Sequence, residues 1–128
     1  VRLALDTNRY RDLTDGVEEV VEVLRRADTI VVPFVVLAEL RAGFAVGARG
    51  RENEAVLHRF LTKPGVEVAF ATDGTTRAYA QLFRQLRTQG TPIPTNDLWI
   101  AAVVVDRSLV LYTRDAHFRH LAQLEIVQ

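Results

Sequence analysis

Four acids in this chain, Asp6, Glu39, Asp97 and Asp115, fall where chemistry is possible. Asp6 ends the apolar run Leu3-Ala4-Leu5, and Asp115 follows the run at residues 109–112 after a two-residue step. Asp97 opens an apolar helix-like stretch, and Glu39 sits about a turn and a half beyond Pro33. In open sheets of strand–helix units, ligands bind just outside the carboxyl ends of the strands. All four acids can converge on that one edge. Carboxylates sharing a cleft repel one another strongly, so a fold keeps them together only if something neutralises them. The chain has no cysteine. His58, His117 and His120 form no ligand pattern, and His117 and His120 read as a solvated helix face. Ligation by oxygen alone suits Mg²⁺ or Mn²⁺. One or two such ions polarise a phosphodiester, lower the pKa of an attacking water and stabilise the leaving oxygen.

Each acid also has a plainer reading. Asp97 can stabilise its own helix through the dipole. Asp115 can cap the next helical turn, and Asp6 can form an Asx-turn. Glu39, set among Val36, Leu37, Ala38 and Leu40, needs a partner if it is buried; Arg41 or Arg9 is within reach in sequence. Taken singly, these readings leave unexplained why all four acids fall on one edge. Asp12, Asp15, Glu18, Glu19, Glu22, Glu52 and Glu54 read as solvated helix faces or caps.

The elements that must position the acids follow from periodicity. Residues 1–5 form a first strand, and residues 9–13 a short helical turn ended by Asp15-Gly16. Val17, Val20, Val21 and Leu24 recur at helical spacing, giving a helix over 17–27. The β-branched run at 29–32 suits a parallel strand covered on both faces, and Pro33 stops it. Helices follow at 34–44 and 52–61, then a strand at 66–70. Asp73 is placed to cap a helix over 74–89, which Gly90 ends. After the loop 91–95, Asn96 and Asp97 open a helix over 98–106 that is apolar nearly all round and so belongs in the interior. A strand at 109–112, a short helix at 116–121 and a strand at 124–127 complete the chain. Strands alternate with helices throughout, which predicts an α/β fold: one domain over residues 1–128, with a central, mainly parallel sheet of about five strands flanked by helices on both faces. The apolar helix faces at 17–24 and 34–44 are either ordinary core or a partner surface.

Composition narrows the function. The 128 residues are 48% hydrophobic and 25% charged, with formal net charge zero, so a uniformly basic nucleic-acid binder is not indicated. Lys63 is the only lysine; the other basic residues are arginines, which favour bidentate contacts to phosphate or carboxylate. Ser108 is the only serine and has no His and acid arranged around it, so serine hydrolase chemistry has no support. Neither a G-x-x-x-x-G-K-[ST] nor a G-x-G-x-x-G loop is present. No apolar run reaches the ~18 residues of a membrane span and no signal peptide is evident. The expected compartment is the cytoplasm.

Leu5-Asp6-Thr7-Asn8, Ala38-Glu39-Leu40 with Gly43, Asn96-Asp97-Leu98-Trp99-Ile100-Ala101-Ala102, and Thr113-Arg114-Asp115-Ala116-His117-Phe118 together resemble the ordered motifs of PIN-domain ribonucleases. The closest group is the VapC toxins of bacterial toxin–antitoxin pairs. The resemblance spans residues 3–127. It implies a Mg²⁺- or Mn²⁺-dependent endoribonuclease in which Asp6, Glu39, Asp97 and Asp115 surround the metal and do the catalysis. Asn8 and Thr113 support those acids by hydrogen bonding. It also implies a homodimer, a cognate antitoxin partner that joins it in a hetero-oligomer, and RNA as substrate. Arg9, Arg11, Arg41 and Arg114, close to the acids in sequence, are the candidate RNA-backbone contacts. Two alternatives belong to other classes. A PIN-like module would bind an antitoxin or RNA without turnover. A phosphoacceptor receiver domain would need a lysine after a late strand, and Lys63 is in the wrong place.

Overall fold

In the computed structural model, which describes residues 1–127, the chain runs β1 (Arg2–Leu5), α1 (Thr7–Thr14), α2 (Glu18–Arg26), β2 (Thr29–Pro33), α3 (Phe34–Val46), α4 (Gly50–Leu61), β3 (Val66–Ala69), α5 (Asp73–Gln89), α6 (Thr95–Arg107), β4 (Val110–Tyr112), a 3₁₀ helix (Ala116–His120) and β5 (Ile126–Val127). The strands form one sheet in the order β3-β2-β1-β4-β5, and every pairing is parallel. Leu3, Ala4 and Leu5 are all buried. Successive strand residues point to opposite faces, so both faces of β1 are covered. Gln128, included in the expected domain, lies outside the described residues.

Topology decides where a site can form. The chain winds from β1 outward through β2 to β3, then returns to the other side of β1 for β4 and β5. The order therefore reverses between β1 and β4, and in open α/β sheets that reversal opens the crevice used by ligands. Leu5 is in register with Tyr112, and the Asp6 amide donates to the Tyr112 carbonyl at 3.1 Å. Asp6 and Thr113 thus leave neighbouring strands side by side at the reversal.

Several expected boundaries shift, each for a local reason. The short turn at 9–13 is a full helix, α1, because Asp6 caps it and its carbonyl accepts the amides of Arg9 and Tyr10. Helix α3 starts directly at the end of β2, with Pro33 as the last strand residue and the N-cap, and runs two residues past Phe44. Helix α4 starts two residues early, at Gly50. Asp73 does not cap α5; Thr72 does, in a reciprocal capping box with Thr75, while Asp73 pairs with Arg77. Helix α6 begins at Thr95, immediately after Pro94, so Asp97 lies in its first turn. The expected final strand shrinks to Ile126–Val127.

Helix α6 is the interior helix its composition predicts: Leu98, Ile100, Ala101, Ala102, Val103 and Val104 are all buried. Its far end is tied to the start of α5. The Thr75 hydroxyl, fully buried, donates to Asp106 Oδ2 at 2.9 Å. Ser108, the one non-glycine residue with positive φ (54°) among the described residues, closes α6, and the Leu109 amide turns back to the Val104 carbonyl at 2.9 Å. This sharp stop sends the chain straight into β4. On α2 and α3, Val20, Leu24, Val35, Val36, Leu37 and Leu40 are buried, so these apolar faces serve the core.

Candidate metal centre

Asp6 is 5% exposed and both its carboxylate oxygens are engaged. Oδ1 accepts the Thr7 amide at 2.7 Å. Oδ2 accepts the Thr113 hydroxyl at 2.6 Å and the Asn8 side-chain amide at 3.4 Å. Burial pushes the Asp6 carboxyl pKa up; the Thr113 and Thr7 bonds oppose this, and the nearby charges of Asp97 and Glu39 add to it. The ionised acid is therefore held at a cost that a cation would relieve.

Asp97 is in the same position. Burial raises its pKa, a hydrogen bond from His117 opposes that, and the charges of Asp115 and Glu39 add to it. Asp115 caps the 3₁₀ helix: its Oδ1 accepts the His117 amide at 2.9 Å. The turn carries the His117 ring back between the two acids, with Nδ1 2.8 Å from Asp97 Oδ2 and 3.1 Å from Asp115 Oδ1. Ligand atoms of Asp97, Asp115 and His117 all lie within 4.8 Å of one another. The hydrogen bond to Asp97 raises the His117 pKa. The expectation that His117 is merely a solvated face is thus wrong, although the residue is half exposed. Its signal in the sequence was its place two residues beyond a capping acid, where the backbone folds the ring onto the cap.

Glu39 is half-buried. Neither expected arginine pairs with it. Its Oε1 accepts the Thr7 hydroxyl at 2.7 Å and its Oε2 the Asn96 side-chain amide at 3.4 Å. The residues adjoining Asp6 and Asp97 in sequence thus hold Glu39 between those two acids. Thr113, 1% exposed, does double duty: its hydroxyl donates to Asp6 and accepts the Asp115 amide at 3.0 Å. Asn8 reaches the Thr113 hydroxyl and, through Oδ1, accepts the Arg114 amide, both at 3.4 Å.

The arginines divide into two groups. Arg9 and Arg114 both bind Asp12, Arg9 through Nη1 at 3.2 Å and Arg114 through Nε and Nη2 at 3.0 Å each. Asp12 is only 13% exposed in its side chain, so its expected solvated role gives way to a structural one. The two guanidiniums hold its carboxyl below the usual range, Arg114 contributing most. Arg41 instead pairs with Glu54, and Arg11 lines a groove between α1, α3 and α4 with Tyr10, Gly43 and Phe44.

The donor set suits a hard divalent cation. Asp97 and Asp115 meet with His117, while Asp6 and Glu39 stand outside that trio; burial raises Asp6 and Asp97, the charges of Asp97 and Glu39 add to the rise at Asp6, and those of Asp115 and Glu39 to the rise at Asp97. An open parallel sheet with acids gathered where its strand order reverses defines a class of α/β proteins that act on ligands at that edge. The comparisons place the chain within it. Residues 5–124 match the PIN domain family model. Ribonuclease VapC5 of Mycobacterium tuberculosis is 33% identical over 104 residues, covering 79% of this chain and 77% of the relative. Ribonuclease VapC1 of Haemophilus influenzae strain R2866 is 31% identical over 110 residues, covering 85% and 81%. The crystal structure of VapBC2 from Rickettsia felis, bound to a DNA fragment from its promoter, superposes with a TM-score of 0.86 at 26% identity, over 99% of this chain and 98% of that one. The chain belongs to the PIN-domain family.

Proposed function

We propose that this chain is the ribonuclease toxin of a VapC-type toxin–antitoxin pair, cutting RNA phosphodiester bonds with Mg²⁺ or Mn²⁺. Residues 1–128 act as one nuclease unit. The curated relatives named ribonuclease VapC support the activity, and the likeness to a VapBC structure supports an antitoxin partner. The observation behind the metal is geometric: ligand atoms of Asp97, Asp115 and His117 lie within 4.8 Å of one another, beside a buried Asp6 carboxylate that Thr113 ties to Asp115.

Asp6, Asp97, Asp115 and Glu39 are the residues that would hold the ion. The ion supplies polarisation of the phosphodiester, a lower pKa for the attacking water and charge neutralisation at the leaving oxygen. The chain's own residues do the rest. Thr113 and Asn8 fix the Asp6 carboxylate, and Thr113 couples its position to that of Asp115. Thr7 and Asn96 orient Glu39 between the aspartates. Arg9 and Arg114 hold the RNA backbone beside the acids, with Arg11 and Arg41 further out along the rim. A single-stranded loop, whose bases can splay out, is the natural substrate.

No helix among the described residues is long and apolar enough to cross a membrane, and we place the protein in the cytoplasm with its RNA. A second copy docks in our reading on the apolar surface where exposed Phe83 stacks on Tyr79, beside Ile93 and Leu98.

The test is cleavage of a labelled single-stranded RNA with Mg²⁺, with Mn²⁺ and with excess EDTA, for the parent chain and Asp97→Asn. Cleavage should need the metal and vanish in the variant. Full activity in EDTA, or in Asp97→Asn, overturns the reading.

A further inference from the structure

Beside the acids lies a second, oppositely charged hollow, lined by Arg9, Thr113, Arg114, Asp115, Arg119 and Ile126. Thr113 and Asp115 belong to the acid cluster, so hollow and cluster share a wall. The opposite wall is arginine. The Arg9 guanidinium lies over the Tyr112 ring, 4.7 Å from its centroid, and its Nε is buried with no hydrogen-bond partner. Arg114 is gripped by Asp12 through two parallel hydrogen bonds. Arg119, exposed on the 3₁₀ helix, makes no ion pair among the described residues. Asp12 and Asp115 set two negative charges against these three guanidiniums.

Such a wall has an electrostatic task. The acids repel a polyanion, and a phosphate is drawn to them only as far as bound metal compensates. A strand therefore needs a positive grip immediately beside the reacting position. Guanidiniums match phosphate oxygens in planar, two-pronged geometry. Asp12 holds Arg9 by Nη1 and takes the Nε/Nη2 edge of Arg114, restraining both guanidiniums, which reduces the entropy cost of binding.

We propose that this hollow is a backbone-phosphate subsite: Arg9, Arg114 and Arg119 hold the phosphate one nucleotide from the cut, and Asp12 is the positioning residue that sets two of them. The proposal rests on the RNA-cleaving reading above and adds Arg119 and Asp12 to its machinery.

The test is binding of a fluorescent single-stranded oligoribonucleotide in EDTA, followed by anisotropy across a salt series. Removing one arginine–phosphate pairing from a single strand lowers the slope of log K against log salt by about 0.7. Arg119→Gln should reduce the slope by about that much and bind several-fold more weakly. Arg84→Gln, an exposed arginine on α5, should keep the parent's slope. Asp12→Asn separates positioning from bulk charge: removing a negative charge alone would tighten RNA binding, whereas loss of the clamp weakens it. Circular dichroism checks that this variant is folded, and Arg119→Gln decides the matter if it is not. An unchanged slope and affinity in Arg119→Gln, or equal losses in Arg84→Gln, overturns the subsite. A parent that binds RNA but fails to cleave it with Mn²⁺ overturns the nuclease reading instead, in a separate assay.

Discussion

The Thr113 hydroxyl donates to Asp6 Oδ2 at 2.6 Å, joining the residues that leave β4 and β1 at the point where the strand order reverses. Because the same oxygen accepts the Asp115 amide, one buried hydroxyl sets the spacing of two acids. Thr113→Val keeps the volume and removes the donor. Hydrogen-bonding partners of metal ligands are commonly worth about 10–100-fold in affinity. Calorimetric titration with Mn²⁺ should show a loss of that order, with the fold retained and Thr113→Ser close to the parent. Unchanged Mn²⁺ affinity in Thr113→Val would show that Asp6 needs no such support.

Asp6→Asn should flatten the pH dependence of metal-free stability and abolish activity. Burial raises the Asp6 carboxyl above its unfolded pKa, so its stabilising contribution is present at low pH and is lost as the pH rises through the folded value. At neutral pH without metal, the charge therefore opposes folding. The amide removes that charge but sets an NH₂ where Oδ2 accepts the Thr113 hydroxyl and the Asn8 side-chain amide, so in EDTA the variant should gain on the parent in melting temperature as the pH rises. It should also abolish cleavage and the rise in melting temperature that Mn²⁺ gives the parent by mass action. Thermal melts in EDTA across a pH series and in Mn²⁺ measure both, and a melting-temperature difference that does not change with pH would contradict the cost assigned to Asp6.

His117 makes metal-free stability depend on pH. Its pKa is raised by the hydrogen bond to Asp97, so the interaction contributes fully below the unfolded value of about 6.5 and fades as the pH climbs through the higher folded value. Asp6 and Asp97 slope the same way, so the parent must be compared with a variant that retains them. In EDTA, the urea midpoint of the parent should exceed that of His117→Gln most near about pH 6, where the ring is charged and Asp97 still ionised, and the gap should close as the pH climbs past the raised folded value. A gap that is constant with pH would mean that the ring does not bridge the acids in solution.

Thr75 offers a control remote from the site. It is fully buried, closes the capping box with Thr72 and donates to Asp106, pinning α5 to α6. Thr75→Val leaves these partners unsatisfied and should cost about 1–3 kcal/mol. Chemical denaturation reads the loss; cleavage per folded molecule should not change. A variant with lower activity per folded molecule would show that this joint reaches the acids through α6.

Much of the fold was readable because its signals are local. The continuous apolar runs at β1 and β2 mark strands covered on both sides, and the all-round apolar α6 marks an interior helix. Boundaries slipped where the deciding interaction lay elsewhere: Thr72 caps α5 only because Thr75 folds back on it, and α1 lengthens because Asp6 serves as its cap. Among the site residues, the types and order of Asp6, Glu39, Asp97 and Asp115 were visible, but their partners were not. Glu39 is held by Thr7 and Asn96 and not by an arginine, Asp12 is a half-hidden anchor for Arg9 and Arg114, and His117 stands between two acids.

The sequence by itself determined the parallel α/β architecture, since period and apolar run length select strand or helix over short windows, and it showed Asp6, Asp97 and Asp115 at element ends and Glu39 inside the helix after the second strand. Tertiary structure alone decided which acids meet and what holds them. That outcome rests on strand order, which sets β4 beside β1, and on side chains up to 107 residues apart, such as Asp6 and Thr113. Hydrogen bonds and ion pairs of this kind depend on distances of a few tenths of an ångström between distant parts of the chain, and no local pattern of residues encodes them.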